Sequence, residues 1–189
     1  MKILVFDNYD SFTYNLVHLI KGLGYENVEV FRNDKIDLKG IEKYDKILLS
    51  PGPGIPSEAG ILTEVLKTYS PTKSIFGVCL GMQAIGEVFG GRLINLKEVY
   101  HGVSTCINVL RKDHYIFKNI PDHFNVGRYH SWAVDNNNFP KELEITGIDE
   151  NGCIMSLKHR IYDVSGVQYH PESILTENGE QIIKNWLEH

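Results

Sequence analysis

Hydrophobic positions along the chain fall into two regimes. Up to about residue 89, short unbroken apolar runs alternate with stretches whose apolar residues recur every three or four positions. Residues 2–6 (Lys-Ile-Leu-Val-Phe), 28–31, 46–50 and 74–78 are runs of the first kind, the pattern of strands buried on both faces. Phe12, Leu16, Leu19, Ile20 and Leu23 set a helix over 12–23, with Asp10 or Ser11 as its expected N-cap and Gly24 where a helix-ending glycine belongs. A short helical turn is expected near 41–44. A second helix is expected over 57–69, with Ile61, Leu62, Val65 and Leu66 on one side, and a third from just after Cys79 to about Phe89. This alternation predicts an α/β fold: an open, mostly parallel sheet with right-handed crossovers and helices on both faces.

After Gly90-Gly91 the period changes. Short strands are expected at 93–94, 103–110, 125–127, 133–134, 144–147 and 154–157, with Glu150-Asn151-Gly152 as a hairpin turn. This second half reads as a smaller antiparallel or mixed β portion. A strand at 166–169 and a helix at 177–187 close the chain. No repeat, low-complexity tract or Pro/Gly/Ser linker divides the 189 residues, so one domain over 1–189 is expected.

Composition narrows the function classes. A net charge of −5 with no basic block argues against a nucleic-acid or membrane partner. The apolar run at 3–6 is too short for a signal peptide or a span, and no later run approaches the ~20 apolar residues a span needs. Three cysteines, Cys79, Cys106 and Cys153, fit neither a disulfide framework nor a CxxC metal pair. A reduced, cytoplasmic protein is expected. Cys106 and Cys153 fall in expected strands and read as buried and inert. Asp7 and Asp10 have no further ligand cluster beside them, so no metal and no cofactor is expected.

The candidate chemistry sits at strand ends, where functional residues of such sheets gather. Gly77-Val78-Cys79-Leu80-Gly81 has the form of a nucleophile elbow with Cys in the central position. A thiol at the N-terminal end of a helix lies in the positive end of the helix dipole, which favours the thiolate. His170-Pro171-Glu172 supplies a base and a group to orient it, provided the tripeptide turns so that Glu172 reaches the imidazole. Gly52 and Gly54, alternating with Pro51 and Pro53, keep backbone donors free of side chains and can aim an amide at an oxyanion. Against this stand a buried structural Cys, a solvated loop His and a plain rigid turn.

Together, Gly77-Val78-Cys79-Leu80-Gly81-Met82-Gln83 and His170-Pro171-Glu172 resemble the class I, triad-type glutamine amidotransferases. The stretches at 7–16, 32–34, 50–54, 100–102, 128–131 and 170–176 are similar to the glutaminase subunits of anthranilate synthase and, equally, of aminodeoxychorismate synthase; the likeness runs from Met1 to the last helix. The resemblance implies catalysis by Cys79, His170 and Glu172 through a glutamyl thioester. It implies an oxyanion site from the Leu80 amide and the Gly52-Pro53-Gly54 loop, and a glutamine pocket that includes Gln83, Ser131 and Trp132. It also implies a separate chorismate-binding synthase subunit that takes the ammonia. The first expectation is anthranilate synthase, in tryptophan biosynthesis; the alternative is aminodeoxychorismate synthase, in folate biosynthesis, or a subunit shared by both. Two departures stand out: Met82 where the family more often has His, and Trp132 where it usually has a smaller aliphatic residue. A catalytically silent synthase partner, or a thiol hydrolase acting on another substrate, are the competing readings.

Overall fold

The computed structural model describes residues 1–189. Five parallel strands form one half of a nine-stranded sheet: β1 (Ile3–Asp7), β2 (Val28–Arg32), β3 (Lys46–Leu49), β4 (Ser74–Val78) and β11 (Val164–Val167). Helices α1 (Thr13–Gly22), α2 (Leu38–Ile41), α3 (Leu62–Tyr69), α4 (Leu80–Val88) and α5 (Gly179–Glu188) cover it. Four antiparallel strands, β6 (Val103–Val109), β7 (His123–Arg128), β9 (Leu143–Asp149) and β10 (Ile154–His159), extend that same sheet, in the order β2-β1-β3-β4-β11-β10-β9-β6-β7. A two-stranded ribbon of β5 (Leu93–Asn95) and β8 (Trp132–Val134) lies apart. The α/β class and the antiparallel second half are therefore as expected, but the second half continues the main sheet. No helix is long and apolar enough to cross a membrane.

Strand alternation explains the layering. Ile3, Val5, Leu48, Phe76, Val78 and Val167 face a core shared with α1 and α5. Leu4, Phe6, Ile47, Leu49 and Ile75 face the opposite core, shared with α2, α3 and α4. Side chains along a strand point to opposite faces in turn, so a run apolar at every position needs cover on both sides. Met82 is fully buried in the second core, which makes it a packing residue.

Several local expectations are corrected. The helix expected over 57–69 is split: a 3-10 turn at Pro56–Glu58 is separated from α3 by Gly60, whose φ of +55° lets the chain pass against the Asn33 carbonyl. Phe12, without a side-chain bond, takes the N-cap position of α1, and Asp10 Oδ1 instead accepts from the Phe12 amide at 2.8 Å. The last strand ends at Val167. Cys106 is exposed, because β6 alternation turns Ile107 into the core and leaves its neighbour on the uncovered face. Cys153 is half-buried and precedes β10. Asp7 is used locally, accepting from the Tyr9 amide and the Thr13 hydroxyl, both at 2.9 Å.

Gly77 and Gly81 let β4 and α4 touch. A methyl on Gly77 would lie 2.5 Å from the Gly81 carbonyl carbon, and one on Gly81 would lie 2.6 Å from the Leu49 oxygen. Two of the buried histidines of the second half are held neutral: His114, whose Nδ1 has no partner, and His130, which donates from Nδ1 to the Trp132 carbonyl at 2.8 Å. Burial, with Lys158 adding, pushes His114 down to about 3. Burial, with Arg128 adding, pushes His130 down to about 4.

Two outcomes follow. Gly77→Ala is expected to cost about 1–3 kcal/mol, read as a fall in Tm of roughly 2–4 °C per kcal/mol. His114 and His130 stay neutral while the same side chains in the unfolded chain protonate near 6.5. Their contribution is therefore complete above that value and shrinks as pH falls below it. The urea midpoint should drop between about pH 6.5 and pH 5, and His114→Phe should drop less than the parent over the same interval.

Candidate active site

The site is set by the ends of neighbouring parallel strands. β4 pairs with β11 through Val78↔Val167, so Cys79 and Gln168 leave the sheet side by side. The Cys79 amide donates to the Val167 carbonyl at 2.8 Å. Cys79 holds φ +52° and ψ −102°, a conformation disfavoured for a residue with a side chain, and α4 begins at the next residue. Its sulfur is buried, the residue being 6% exposed. As the first residue of α4, Leu80 has an amide with no carbonyl to reach within the helix.

On the other side of β4, the loop after the adjacent strand β3 closes over the elbow. Asn8 donates through its amide N–H to Ser50 Oγ at 2.8 Å and through Nδ2 to the Ser50 carbonyl at 2.9 Å. Gly52 is pressed between Asn8 and Leu80: a methyl there would lie 2.6 Å from the Asn8 oxygen and 2.8 Å from Leu80 Cδ2. Neither the Gly52 nor the Gly54 amide donates to a protein acceptor.

His170 and Glu172 lie on a tight turn after β11. The Ser173 amide donates to the His170 carbonyl at 3.1 Å, which folds residues 170–173 back and carries Glu172 to the ring. His170 Nδ1 and Glu172 Oε1 are 2.7 Å apart, with side chains 2% and 0% exposed. The turn is fixed to the edge strand β7: the His170 amide donates to the Gly127 carbonyl at 3.1 Å and the Gly127 amide to Thr176 Oγ1 at 2.9 Å. Phe12 and Tyr129 meet the imidazole edge-on, with centroids at 5.7 and 4.8 Å. Burial works to push the His170 pKa down, but the Cys79 sulfur and the Glu172 carboxylate outweigh it and hold it well above the ordinary imidazole value. His170 Nε2 itself has no hydrogen-bond partner. Cys79 thus lies near enough to raise the ring's pKa while the contact at Nε2 falls short of hydrogen-bond geometry, as is common in unliganded sites.

Beside the sulfur lies a cavity of about 200 Å³ lined by Gly52, Pro53, Gly54, Cys79, Gln83 and the segment 129–132, which includes Ser131 and Trp132. Gln83 Nε2 donates to the Trp132 carbonyl at 2.9 Å and to Gln168 Oε1 at 3.2 Å. Both amide hydrogens are then engaged, and the oxygen remains as an acceptor for a ligand. Leu80 is buried beneath the cavity and does not line it with its side chain. A larger hollow of about 450 Å³ behind the 128–134 segment holds neither Cys79 nor His170.

Sequence reasoning missed the residues that support this arrangement. Tyr129, Phe12 and Thr176 hold the His170 turn, and Gln168 donates to Cys79 Sγ at 3.5 Å. The available signal for Gln168 was its place near the end of an expected strand, two residues before His170.

Comparisons with known proteins place the chain in a family. A family model described as glutamine amidotransferase class-I matches residues 4–189. Anthranilate synthase component 2 of Pyropia yezoensis is 46% identical over 190 residues, covering 99% of each chain. The putative anthranilate synthase component II of Haemophilus influenzae is 42% identical over 99% of this chain and 96% of its own. The solved structure of a putative GMP synthase subunit from Thermoplasma acidophilum shares the fold, with a TM-score of 0.89 at 24% identity over 100% of this chain and 92% of that one. With the family model spanning nearly every residue and both sequence relatives alike over almost their whole length, the chain belongs to the class-I glutamine amidotransferases.

Proposed function

We propose that this chain is the glutamine-hydrolysing subunit of an anthranilate synthase, working through Cys79, His170 and Glu172 and passing ammonia to a separate chorismate-binding subunit. The observation that carries the reading is the buried His170–Glu172 pair, bonded at 2.7 Å, at the strand end next to the one bearing the Cys79 elbow. The names of the similar relatives support anthranilate synthase in particular. No feature of the pocket favours aminodeoxychorismate synthase over it.

The geometry supports the following chemistry. Glutamine enters the cavity with its side-chain amide toward the sulfur, and the free Gln83 oxygen accepts from a substrate N–H. The Cys79 thiolate attacks the amide carbon, forming the C–S bond and moving charge onto the oxygen. That oxyanion meets the Leu80 amide and a glycine amide of the 52–54 loop, donors of the kind whose loss costs about 10²–10³ in rate. The imidazolium of His170 gives its Nε2 proton to the departing nitrogen as the C–N bond breaks, so ammonia leaves and a glutamyl thioester remains. Neutral His170 then takes a proton from water, which attacks the thioester. The C–S bond breaks, releasing glutamate and restoring thiolate and imidazolium. Glu172 fixes the ring and supports its positive charge. Trp132 contributes its carbonyl to the pocket frame, so its larger ring is accommodated where a backbone atom does the work.

Cys79→Ser is expected to lower glutamine-dependent anthranilate formation by at least about a thousandfold while synthesis from added ammonium salt continues at the parent rate in the assembled complex. Loss of both activities together, in a complex that still forms, would contradict the role given to Cys79. The open Cys79–His170 contact also predicts low glutaminase turnover for the isolated chain and a large rise on adding the synthase subunit. Equal turnover in the two states refutes that coupling.

A further inference from the structure

One side-chain donor is bonded to the Cys79 sulfur, and it belongs to a residue outside the proposed triad. Gln168 Nε2 lies 3.5 Å from Sγ. Gln168 is fully buried, where a methionine of similar length would fill the space without a polar group to satisfy. Its position follows from sheet register, since the residue after Val167 must stand beside the residue after Val78. Its backbone is fixed too, the amide donating to the Met155 carbonyl at 2.9 Å.

The orientation of the side-chain amide is determined by its neighbours. The Trp132 carbonyl can only accept, so Gln83 must present its NH₂ group there. The second hydrogen of that group goes to Gln168 at 3.2 Å, so Gln168 must present its oxygen to Gln83 and its NH₂ group to the sulfur. The polarity runs one way, from a backbone carbonyl through two amides to the nucleophile. Hydrogen bonds to an ionised acceptor are stronger than those to a neutral one, so a donor placed on sulfur favours thiolate over thiol and fixes the direction of its lone pairs.

We propose that Gln168 is a positioning residue for the nucleophile: its side-chain N–H holds the Cys79 sulfur as a thiolate directed at the glutamine pocket, with Gln83 keeping the amide in register. This rests on the reading of Cys79 as the nucleophile. A residue that only filled space, or only satisfied Gln83, would have no influence on the protonation of the sulfur.

Two full-length variants separate these roles. Gln168→Met removes the donor and the acceptor at nearly constant length. Gln168→Glu keeps an acceptor for Gln83 and replaces the donor on sulfur by a carboxylate. Alkylation of Cys79 by iodoacetamide is followed against pH, with Cys79 resolved from Cys106 and Cys153 by peptide mass. The midpoint is expected to move up by about one to two pH units in Gln168→Met and further in Gln168→Glu. In complex with the synthase subunit, glutamine-dependent kcat should fall about tenfold or more, with a smaller change in KM and unchanged ammonia-dependent synthesis. Superimposable alkylation profiles in the folded variants overturn the proposal. If Gln168→Met does not fold, Gln168→Leu, which also removes the donor without adding a charge, decides in its place: the parent alkylation profile there overturns the proposal, and Gln168→Glu serves only as the control for an added charge beside the sulfur. Failure of the catalytic reading is seen separately, as full glutaminase activity in Cys79→Ser, whereas the alkylation profile reports the state of the sulfur without any turnover.

Discussion

Between β4 and β11 runs a short parallel ladder, and its upper rung, Val78 beside Val167, sets the position of every group that could react. The chain reaches these two strands by unrelated routes; Cys79 and Gln168 are 89 positions apart. Parallel register brings both strands to the rim at the same level, so the elbow, Gln168 and His170 leave the sheet within a few ångströms of rise. The Val167 carbonyl then holds the Cys79 amide at 2.8 Å, which pins the elbow in a conformation costing of order 1–3 kcal/mol. Strain of that size persists only where neighbours leave no alternative. Here Gly77 and Gly81 allow the helix to sit directly on the strands, and the surrounding core fills the rest.

The antiparallel half gains its purpose from the same rim. Strand β7 is the outer edge of the sheet, and an open edge is a liability. The segment that follows β11 covers it: the His170 and Glu177 amides donate to the Gly127 and Asn125 carbonyls, and Thr176 Oγ1 and Glu177 Oε2 accept from the Gly127 and Asn125 amides. Covering the edge and placing the imidazole are thus one event. The ring ends up between Phe12 from the first helix region and Tyr129 from the end of β7. The buried His170–Glu172 pair is poor evidence of stability, since desolvating both partners offsets much of their attraction. Glu172 Oε2 also has no hydrogen-bond partner. A pair kept under those terms is better explained by chemistry than by folding.

How much of this could be read from the chain depends on whether the information is local. Strands buried on both faces announce themselves as continuous apolar runs, so β1, β3 and β4 are placed almost to the residue. Gly-x-Cys-x-Gly is equally local, because the close approach of strand and helix requires small residues at fixed offsets. The division of the 57–69 helix was not legible: Gly60 needs its positive φ on account of Asn33, a contact from another strand end. Cys106 looked buried because a strand had been recognised there, but alternation alone cannot say which face a helix will cover. Continuity of the sheet from β11 into β10 was likewise hidden, as was the place of Gln168, since both are facts of register between distant segments.

The arrangement is complete in residue types but open in two contacts. The Gly52 and Gly54 amides donate to nothing in the protein, and His170 Nε2 is unbonded although the sulfur is near enough to raise its pKa. Each missing bond is worth only about 0.5–1.5 kcal/mol, less than the differential binding a substrate or a partner subunit can supply. A small displacement of the 170–173 turn is therefore enough to close the Cys79–His170 contact, while the free Gly52 and Gly54 amides are donors ready for a substrate oxygen. Both segments lie at the sheet rim; Pro53 and Gly54 are exposed there, whereas the His170 and Glu172 side chains are buried. A glutaminase that released ammonia without a synthase to receive it would waste glutamine. Under the proposed function, the open Cys79–His170 contact is a deficit of one weak bond, of the size that binding of a synthase subunit would close.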